Sequence, residues 1–235
     1  MDRSVAIITA RGGSKRIPRK NIKNFMDKPI IAYSILAAIE SGVFDEIMVS
    51  TDDQEIADVA IQYGAIVPFF RSPQNSDDIS NTNDVLKEVL TVYQNKGEKF
   101  KYACCIYPTA PFVTAEKLSQ ALKMLQDSGA DSIIPVTEFS FPILRSFNMD
   151  KDSKIAFNWP ENATVRSQDL APAYHDCGQY YFFDVEKFMK NGRLVSDNTL
   201  GIHTSPIEVQ DIDNEDDWKL AEVKYSFLKR KKEIQ

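Results

Sequence analysis

The sequence predicts an α/β protein with three layers, in which helices cover both faces of a mostly parallel sheet. Two observations support this prediction. Short apolar runs typical of strands alternate four times with segments of helical periodicity, and a glycine-rich, cation-rich loop directly follows the first apolar run. Such alternation is typical of right-handed strand–helix–strand units. The 235 residues are 43% hydrophobic, which suits a single domain over 1–235 with one excursion.

The first part of the chain marks its elements clearly. Pro29 fits the first turn of a helix and Gly42 ends it, because proline suits a helix start and glycine a helix end. Asp52 or Asp53 can cap the next helix, which stops before Gly64. The predicted strands lie near 5–8, 46–50, 65–70, 102–107 and 132–136, and the predicted helices begin near 29, 53, 83 and 115.

The alternation breaks over residues 137–173, where three prolines and short alternating segments replace it. Regular structure then resumes with a strand near 179–183, a short helix near 185–191, a strand over 206–212 and a closing helix over 214–229. Aromatic residues are frequent in the excursion, and we expect their side chains to be buried against another protein surface. They are Phe139, Phe141, Phe147, Phe157 and Trp159. Either the excursion folds back over its own sheet, or a second copy covers it, so we expect 137–173 to form a homodimer interface.

The loop over residues 10–21 has the composition of a nucleoside-triphosphate site. Gly12 and Gly13 can adopt positive φ, which would bring backbone N–H groups to phosphate oxygens. The cations of the loop are Arg11, Lys15, Arg16, Arg19 and Lys20. A solvated basic loop is the alternative, but the position after the first strand favours a phosphate site, because open α/β sheets bind ligands at the carboxyl ends of their strands.

Asp211 and Asp213 form the second candidate site. Residues two apart on a strand project to one face, so the predicted strand over 206–212 would bring these carboxylates together. Mg²⁺ binds one or two protein carboxylates together with phosphate oxygens, which makes Mg²⁺ the expected cofactor. Alternatively, the two aspartates belong to the acidic cap of the closing helix.

Several classes of function are disfavoured. The loop lacks the third glycine of a dinucleotide-binding fingerprint and the spacing of a Walker motif, which argues against a nicotinamide-dependent oxidoreductase and a P-loop enzyme. The two histidines, His175 and His203, follow no nucleophile elbow, which argues against a serine hydrolase. Three cysteines form neither a disulfide framework nor a zinc ligand set.

The partners expected from composition are small molecules. A net charge of −6 argues against general binding of nucleic acid. No apolar run approaches the roughly 20 residues of a membrane span, and the first residues lack a signal-peptide pattern. We therefore expect a cytoplasmic protein.

Five segments together resemble the cytidylyltransferases that make CMP-activated acidic sugars: residues 10–21, 49–52, 71–78, 107–112 and 211–213. The match covers nearly the whole chain in order, and it implies a Rossmann-like nucleotidyltransferase fold. Residues 175–182 most resemble the branch that acts on pseudaminic acid. Enzymes for sialic acid usually have Arg, Asn and Gln where this chain has His175, Cys177 and Tyr107.

The resemblance assigns roles in binding CTP. Arg11 would lie along the triphosphate in the loop formed with Ala10, Gly12 and Gly13, and Lys15 would neutralise the departing pyrophosphate. Lys20 and Asn21 would hold phosphate and ribose, while Arg71 and Thr82 would contact the cytosine and its ribose. Of these residues, Arg11, Lys15 and Lys20 would act in catalysis together with Asp211.

The resemblance also assigns the second substrate, an acidic nine-carbon sugar, to Tyr107, His175, Asp176 and Gln179. Asp211 and Asp213 would bind Mg²⁺, and one of them would help to remove the proton of the anomeric hydroxyl, which attacks the α-phosphorus of CTP. For His175, a structural role in a turn is the alternative. Two further readings are a cytidylyltransferase for N-acetylneuraminic or legionaminic acid and a nucleotide-sugar-binding protein without catalysis.

Overall fold

The computed structural model describes residues 2–76 and 81–234. The strands are β1 (Ser4–Thr9), β2 (Asn24–Phe25), β3 (Lys28–Pro29), β4 (Glu46–Ser50), β5 (Tyr102–Ile106), β6 (Ser132–Glu138), β7 (Phe147–Met149), β8 (Ile155–Phe157), β9 (Tyr174–Asp176), β10 (Tyr180–Asp184) and β11 (Thr199–His203). The α-helices are α1 (Ile30–Ser41), α2 (Gln54–Gln62), α3 (Thr82–Asn95), α4 (Ala115–Ser128), α5 (Val185–Asn191) and α6 (Glu215–Ile234).

The main sheet has the strand order β11-β6-β10-β5-β1-β4, and β9 pairs with β6 outside this path. Strand β1 lies between β5 and β4 and is parallel to both, and β11 is parallel to β6. Strand β10 is antiparallel to both β5 and β6, and β9 is antiparallel to β6. The predicted α/β fold is confirmed, with two antiparallel strands inserted in its second half.

Both faces of the sheet are buried. In β1, Ala6 and Ile8 belong to one core cluster with α1, α2 and α4, whereas Val5 and Ile7 belong to another with α3 and α5. All four side chains are inaccessible to solvent. Because helices cover both faces of the sheet, the residues of β1 form a continuous apolar run and do not alternate between apolar and polar side chains. This arrangement is the predicted three-layer structure.

The predicted helix boundaries near the loop are also found. Asp53 caps α2, and its side chain accepts a hydrogen bond of 3.0 Å from the backbone of Ile56. Gly42 ends α1 with a φ of 62°, a conformation that favours glycine. Gly64, with a φ of 96°, follows α2. These ends place the loop after β1 against the start of α2.

Two predicted strands are wrong. Residues 65–70 form a single parallel bridge, between Met48 and Ile66, and Pro68 in this segment lacks the N–H that a longer ladder requires. Residues 206–212 begin with a 3-10 turn, Pro206–Glu208, and continue without regular structure. The edge strand beside β6 is instead β11, a five-residue strand in which Leu200 and Ile202 lie two apart and pack against the core.

The excursion contributes a small sheet that is separate from the main sheet. Among the described strands, β7 and β8 pair only with each other, as a two-stranded antiparallel hairpin. Large apolar side chains on and beside this hairpin are exposed, including Phe141 (82% of its surface) and Met149 (70%). Back-folding over the sheet does not occur for these residues. The homodimer remains a prediction.

Candidate active site

A cavity of about 480 Å³ opens at the edge of the sheet where β1 and β5 end. Parallel strands bring their carboxyl ends to the same edge, and the loops that follow them form the walls. The wall contains eight of the predicted site residues: Arg11, Gly13, Lys15, Lys20, Asn21, Arg71, Thr82 and Tyr107. It also contains Thr9, Ser14, Arg16, Val85, Pro108 and Thr109. Residues that are far apart in the chain therefore meet in one cation-rich cleft.

The glycines of the loop act differently from the prediction. Neither Gly12 nor Gly13 has a positive φ. The Gly12 N–H donates to Asp52 Oδ1 at 2.8 Å, and a Cβ at this position would lie 2.9 Å from Asp53 Oδ2. Glycine is required at position 12 because the start of α2 approaches so closely. At Gly13 a Cβ would meet no atom of the described residues within 4 Å, and Gly13 lines the cavity. Ala10 is fully buried beneath the loop.

Arg19 was predicted to contribute charge to the phosphate loop, and that assignment is wrong. Its guanidinium binds Asp53 through two hydrogen bonds of 2.6 and 2.8 Å and also contacts Glu55. The hydrogen bond from Arg19 lowers the pKa of Asp53 to about 2. Arg19 has a φ of 55°, which turns its side chain toward α2. This ion pair fixes the loop to the next helix.

Arg71 places a buried cation in the cleft. Its side chain donates from Nε to Ser50 Oγ at 3.1 Å and from Nη2 to the Ser50 carbonyl at 2.7 Å. Ser50 ends β4, so the guanidinium is fixed to the edge of the sheet. Burial lowers the pKa of Arg71, although arginine remains protonated. Asp77 and Asp78, which follow Arg71 in the resemblance motif, lie outside the described residues.

Lys20 joins the cleft to the acidic segment. Its Nζ donates to the Ile212 carbonyl at 2.6 Å and lies 3.9 Å from Asp213 Oδ1. Burial lowers the pKa of Lys20, and the carboxylates of Asp213 and Asp211 oppose this effect. Asn21, the next residue, donates from Nδ2 to the Arg11 carbonyl at 2.9 Å and so fixes the loop from inside.

Asp211 and Asp213 lie beside the cleft, in an irregular segment rather than on the predicted strand. Asp213 forms an ion pair of 2.7 Å with Arg16, which does line the cavity. The pKa of Asp211 is raised, first by partial removal from water and then by the Asp213 charge. The two carboxylates therefore influence each other, as in the predicted pair.

These two carboxylates have the donor chemistry that Mg²⁺ requires. Within the described ranges, no group of three or more His, Cys, Asp or Glu side chains could hold a metal ion. A magnesium site for a nucleotide needs only one or two carboxylates, because phosphate oxygens complete the coordination. Asp211 and Asp213 next to a cationic cleft fit such a site, with the phosphates of the substrate as the missing ligands.

Side-chain donors fix the acidic segment in place of a strand ladder. Gln179 Nε2 donates to the Glu208 carbonyl at 2.6 Å, and Lys224 Nζ of α6 donates to the Val209 carbonyl at 2.7 Å. Gln179 was expected to face the sugar, but it is 1% exposed and does not line the cavity. Its Oε1 is buried and has no hydrogen-bond partner among the residues that the structure describes. The sequence did not predict this role of Lys224, because nothing distinguishes it from the other lysines of a charged helix.

The remaining predicted sugar contacts lie in or near β9. His175 is exposed on this strand, with Nδ1 2.9 Å from the Asp176 carbonyl and its ring 4.8 Å from that of Phe139. Asp176 Oδ2 accepts a hydrogen bond of 2.7 Å from the Tyr181 hydroxyl. Neither His175 nor Asp176 is part of the cavity wall described above, whereas Tyr107 is.

A family model described as "Cytidylyltransferase" matches residues 5–214. The chain is 36% identical over 223 residues to the pseudaminic acid cytidylyltransferase of Campylobacter jejuni, covering 95% of this chain and 96% of that one. It is 34% identical to the CMP-N,N'-diacetyllegionaminic acid synthase of Legionella pneumophila, covering 94% and 95%. A solved CMP:2-keto-3-deoxy-manno-octonic acid synthetase in complex with CTP has the same fold, with a TM-score of 0.68, 15% identity and coverage of 97% and 99%. None of the helices in the described ranges has the length and apolar character that crossing a bilayer requires.

Proposed function

The chain belongs to the cytidylyltransferase family, and from this premise we propose that it transfers CMP from CTP to the anomeric hydroxyl of pseudaminic acid, releasing pyrophosphate. The observation that carries the proposal is one cleft in which the cations Arg11, Lys15 and Lys20 meet a buried arginine, beside the Asp211 and Asp213 carboxylates. The product would supply the biosynthesis of a bacterial surface glycan, such as that of flagellin or a capsule.

In the proposed reaction, the anomeric oxygen forms a bond to the α-phosphorus of CTP while the bond to the pyrophosphate oxygen breaks. Arg11 and Lys15 in the wall of the cleft stabilise the triphosphate and the departing pyrophosphate. The Asp211 and Asp213 pair receives the proton of the anomeric hydroxyl. Lys20, partly buried between the cleft and this pair, holds the acidic segment next to the reacting groups.

We assign a magnesium ion to Asp211 and Asp213. When bound, it would supply charge neutralisation for the transferring phosphoryl group. The support is the donor set itself: two mutually repelling carboxylates, one of which has a raised pKa, beside a cleft rich in cations. Arg16, which now pairs with Asp213, would move to a phosphate when metal and nucleotide bind.

Pseudaminic acid is the acceptor that the relatives and the cleft favour. The Campylobacter jejuni relative named for this sugar aligns over almost the full length of both chains. Tyr107 supplies an aromatic wall in the cleft, which suits the terminal methyl group of pseudaminic acid better than the hydroxyl of N-acetylneuraminic acid. Legionaminic acid is the second candidate, because a synthase for its diacetyl form is 34% identical to this chain.

We also propose that the enzyme is a homodimer formed through residues 137–173. Phe141, Met149 and Ile155 are each more than half exposed on or beside the β7–β8 hairpin. Such a concentration of exposed apolar side chains in one segment is typical of an interface. A second copy is the partner that a closed symmetric dimer would supply.

The proposal is tested by incubating the protein with CTP, Mg²⁺ and a panel of nine-carbon 2-keto sugar acids. Pyrophosphate release is measured and the nucleotide sugar is identified by mass. We expect release with pseudaminic acid, and none in its absence. An Asp211→Ala variant serves as the control for a contaminating activity. Failure of every acid in the panel to release pyrophosphate would overturn the proposed function and leave a protein that only binds nucleotide sugars.

A further inference from the structure

The corner between β4 and α2, residues 50–53, contacts both sides of the cleft. On one side, the Gly12 N–H of the loop after β1 donates to Asp52 Oδ1 at 2.8 Å. On the other side, the Arg71 guanidinium donates to the carbonyl and the hydroxyl of Ser50. The same short corner therefore holds the proposed phosphate loop and the buried arginine.

The backbone of Gly12 faces this corner. Arg11 and Gly13 line the cavity, whereas Gly12 between them is not part of the cavity wall described above. The Gly12 N–H points to Asp52, and a Cβ at Gly12 would lie 2.9 Å from Asp53 Oδ2. When the middle residue of three is fixed in this way, the directions in which the chain enters and leaves it are fixed as well. The contact with Asp52 therefore determines how Arg11 and Gly13 lie in the cleft.

The charge of Asp52 is unfavourable next to a site for anions. Burial lowers the pKa of Arg71, and the nearby Asp52 carboxylate opposes this effect, so its charge is felt at the cleft. A carboxylate close to bound phosphates weakens their binding, because like charges repel. A purely electrostatic role for Asp52 would therefore work against the proposed site, whereas a role as acceptor for the Gly12 N–H would support it.

We propose that Asp52 is a positioning residue for the triphosphate, because its carboxylate accepts the Gly12 N–H and so holds the neighbouring residues of the loop toward the phosphates. The acceptor oxygen of Asp52 performs this role, and its negative charge opposes it. The Gly12 N–H itself is taken up by Asp52 and does not bind phosphate. This inference rests on the proposed function for the identity of the nucleotide.

The test compares the binding of inorganic pyrophosphate to Asp52→Ala and to Asp52→Asn by calorimetry. Both variants remove the charge of an exposed residue, but the Asn side chain keeps an oxygen that can accept from the Gly12 N–H. We expect the Kd for pyrophosphate to rise about 10-fold in Asp52→Ala, as for loss of one hydrogen bond. In Asp52→Asn it should equal the wild-type value or fall below it. Asp58→Ala, which removes an exposed carboxylate of α2, is the matched control and should leave the Kd unchanged.

Unchanged or tighter binding of pyrophosphate to Asp52→Ala would overturn the proposal. Tighter binding is the result expected if Asp52 merely occupies an N–H that a phosphate would otherwise take. Equally weak binding to Asp52→Ala and Asp52→Asn would also overturn it, since the charge rather than the acceptor would then matter. Cytidine is the second ligand, and its Kd should be the same in wild type and all variants because it has no phosphate. An equal rise in the Kd for cytidine and for pyrophosphate would indicate general damage to the cleft and would overturn the positioning role.

An NMR readout separates this inference from the proposed function. Arg11 and Gly12 form the only Arg-Gly pair in the sequence, so labelling with carbonyl-¹³C arginine and ¹⁵N glycine selects the Gly12 amide. Its proton resonance should move upfield in Asp52→Ala, move less in Asp52→Asn and stay in place in Asp58→Ala. A Gly12 resonance that is the same in wild type and Asp52→Ala would overturn the inference even if pseudaminic acid is a substrate. Conversely, absent turnover with every sugar acid, together with the shifted resonance and weaker pyrophosphate binding, would overturn the proposed function alone.

Discussion

Lys20 and Ile212, 192 residues apart in the chain, are joined by a hydrogen bond of 2.6 Å from the ammonium group to the backbone carbonyl. This bond connects the loop after β1 to the acidic segment that precedes α6. Lys20 lines the cleft and has 19% of its side chain exposed. The relationship places the carboxylates of Asp211 and Asp213 next to the proposed phosphate site without a strand to carry them.

Replacing Lys20 should therefore affect catalysis through two routes. In Lys20→Met, the cleft loses a cation and the Ile212 carbonyl loses its donor. We expect the turnover rate to fall by about 10²–10³-fold, the magnitude for loss of one preorganised group. Lys23→Met is the control, because Lys23 pairs with Glu215 near the surface. A rate for Lys20→Met equal to that of the control, by pyrophosphate release, would rule out this role.

Asp211→Asn should abolish most turnover while the protein still binds CTP. The amide keeps the size of the side chain but loses the charge that the proposed metal and proton transfer require, so we expect a fall of about 10²–10³-fold. Asp216→Asn is the matched control, because Asp216 is an exposed carboxylate in the first turn of α6. Pyrophosphate release measures turnover, and calorimetry measures CTP binding. Wild-type rates for Asp211→Asn at saturating Mg²⁺ would show that this carboxylate has no part in the reaction.

CTP should be strongly preferred over UTP and the purine triphosphates. Arg71 is a buried donor fixed to Ser50, and a site with fixed polar groups rejects a base that leaves them unpaired. We expect kcat/KM for CTP to exceed that for UTP by at least about 10²-fold. Arg71→Met should reduce this ratio. Comparable pyrophosphate release from CTP and UTP would exclude the assignment of the base to Arg71.

The excursion should determine the oligomeric state. Phe141→Asp/Met149→Asp introduces two carboxylates at exposed apolar positions. The double variant should be a monomer, because burying unpaired carboxylates in an apolar interface is strongly unfavourable. Val223→Asp is the control, since Val223 is an exposed apolar residue on α6. Light scattering at micromolar concentration reports the mass. A monomeric wild-type protein would contradict the dimer.

The Arg19–Asp53 ion pair should make stability depend on pH in the acid range. The pKa of Asp53 is lowered from 3.8 to about 2 in the folded protein. A carboxyl with a lowered pKa stabilises the fold above its unfolded pKa, and this contribution is lost as pH falls from about 3.8 toward 2. Because both side chains are partly exposed, we expect no more than about 1 kcal/mol.

Urea unfolding at pH 5 and at pH 2.5 measures this contribution. Arg19→Met should lose stability at pH 5 and show a smaller fall between the two pH values than the wild type does. Asp58→Asn on the exposed face of α2 is the control for a general effect of carboxylates. An equal fall in wild type and Arg19→Met would show that the pair contributes nothing.

Much of the fold was predictable because local signals and the buried pattern agree. The apolar run of β1 and the glycines that end helices act within a few residues, so the sequence alone indicates them. The strands in the second half of the sheet could be predicted less well from the sequence. Apolar residues over 206–212 resemble a strand, yet Gln179, Lys20 and Lys224 supply the donors that a neighbouring strand would have given. Contacts of this kind depend on the tertiary fold.

The candidate site was predicted in its composition more than in its geometry. Eight predicted residues meet in the cleft, because the carboxyl ends of parallel strands share one edge. Arg19 was misassigned because a cation in a loop does not show which carboxylate it faces, and Asp53 is 34 residues away. Gln179 was expected at the surface of the site, but its position beside Gly178 turns it inward to the Glu208 carbonyl.

The proposed acceptor is tested by the ratio of kcat/KM for pseudaminic acid to that for N-acetylneuraminic acid, with CTP and Mg²⁺ held constant. Apolar pocket contacts separate such ligands by roughly 10–200-fold, so with an aromatic wall at Tyr107 we expect a ratio of at least about 10 in favour of pseudaminic acid. A ratio near one, or one that favours N-acetylneuraminic acid, would contradict the proposed acceptor, even though the chain belongs to the cytidylyltransferase family.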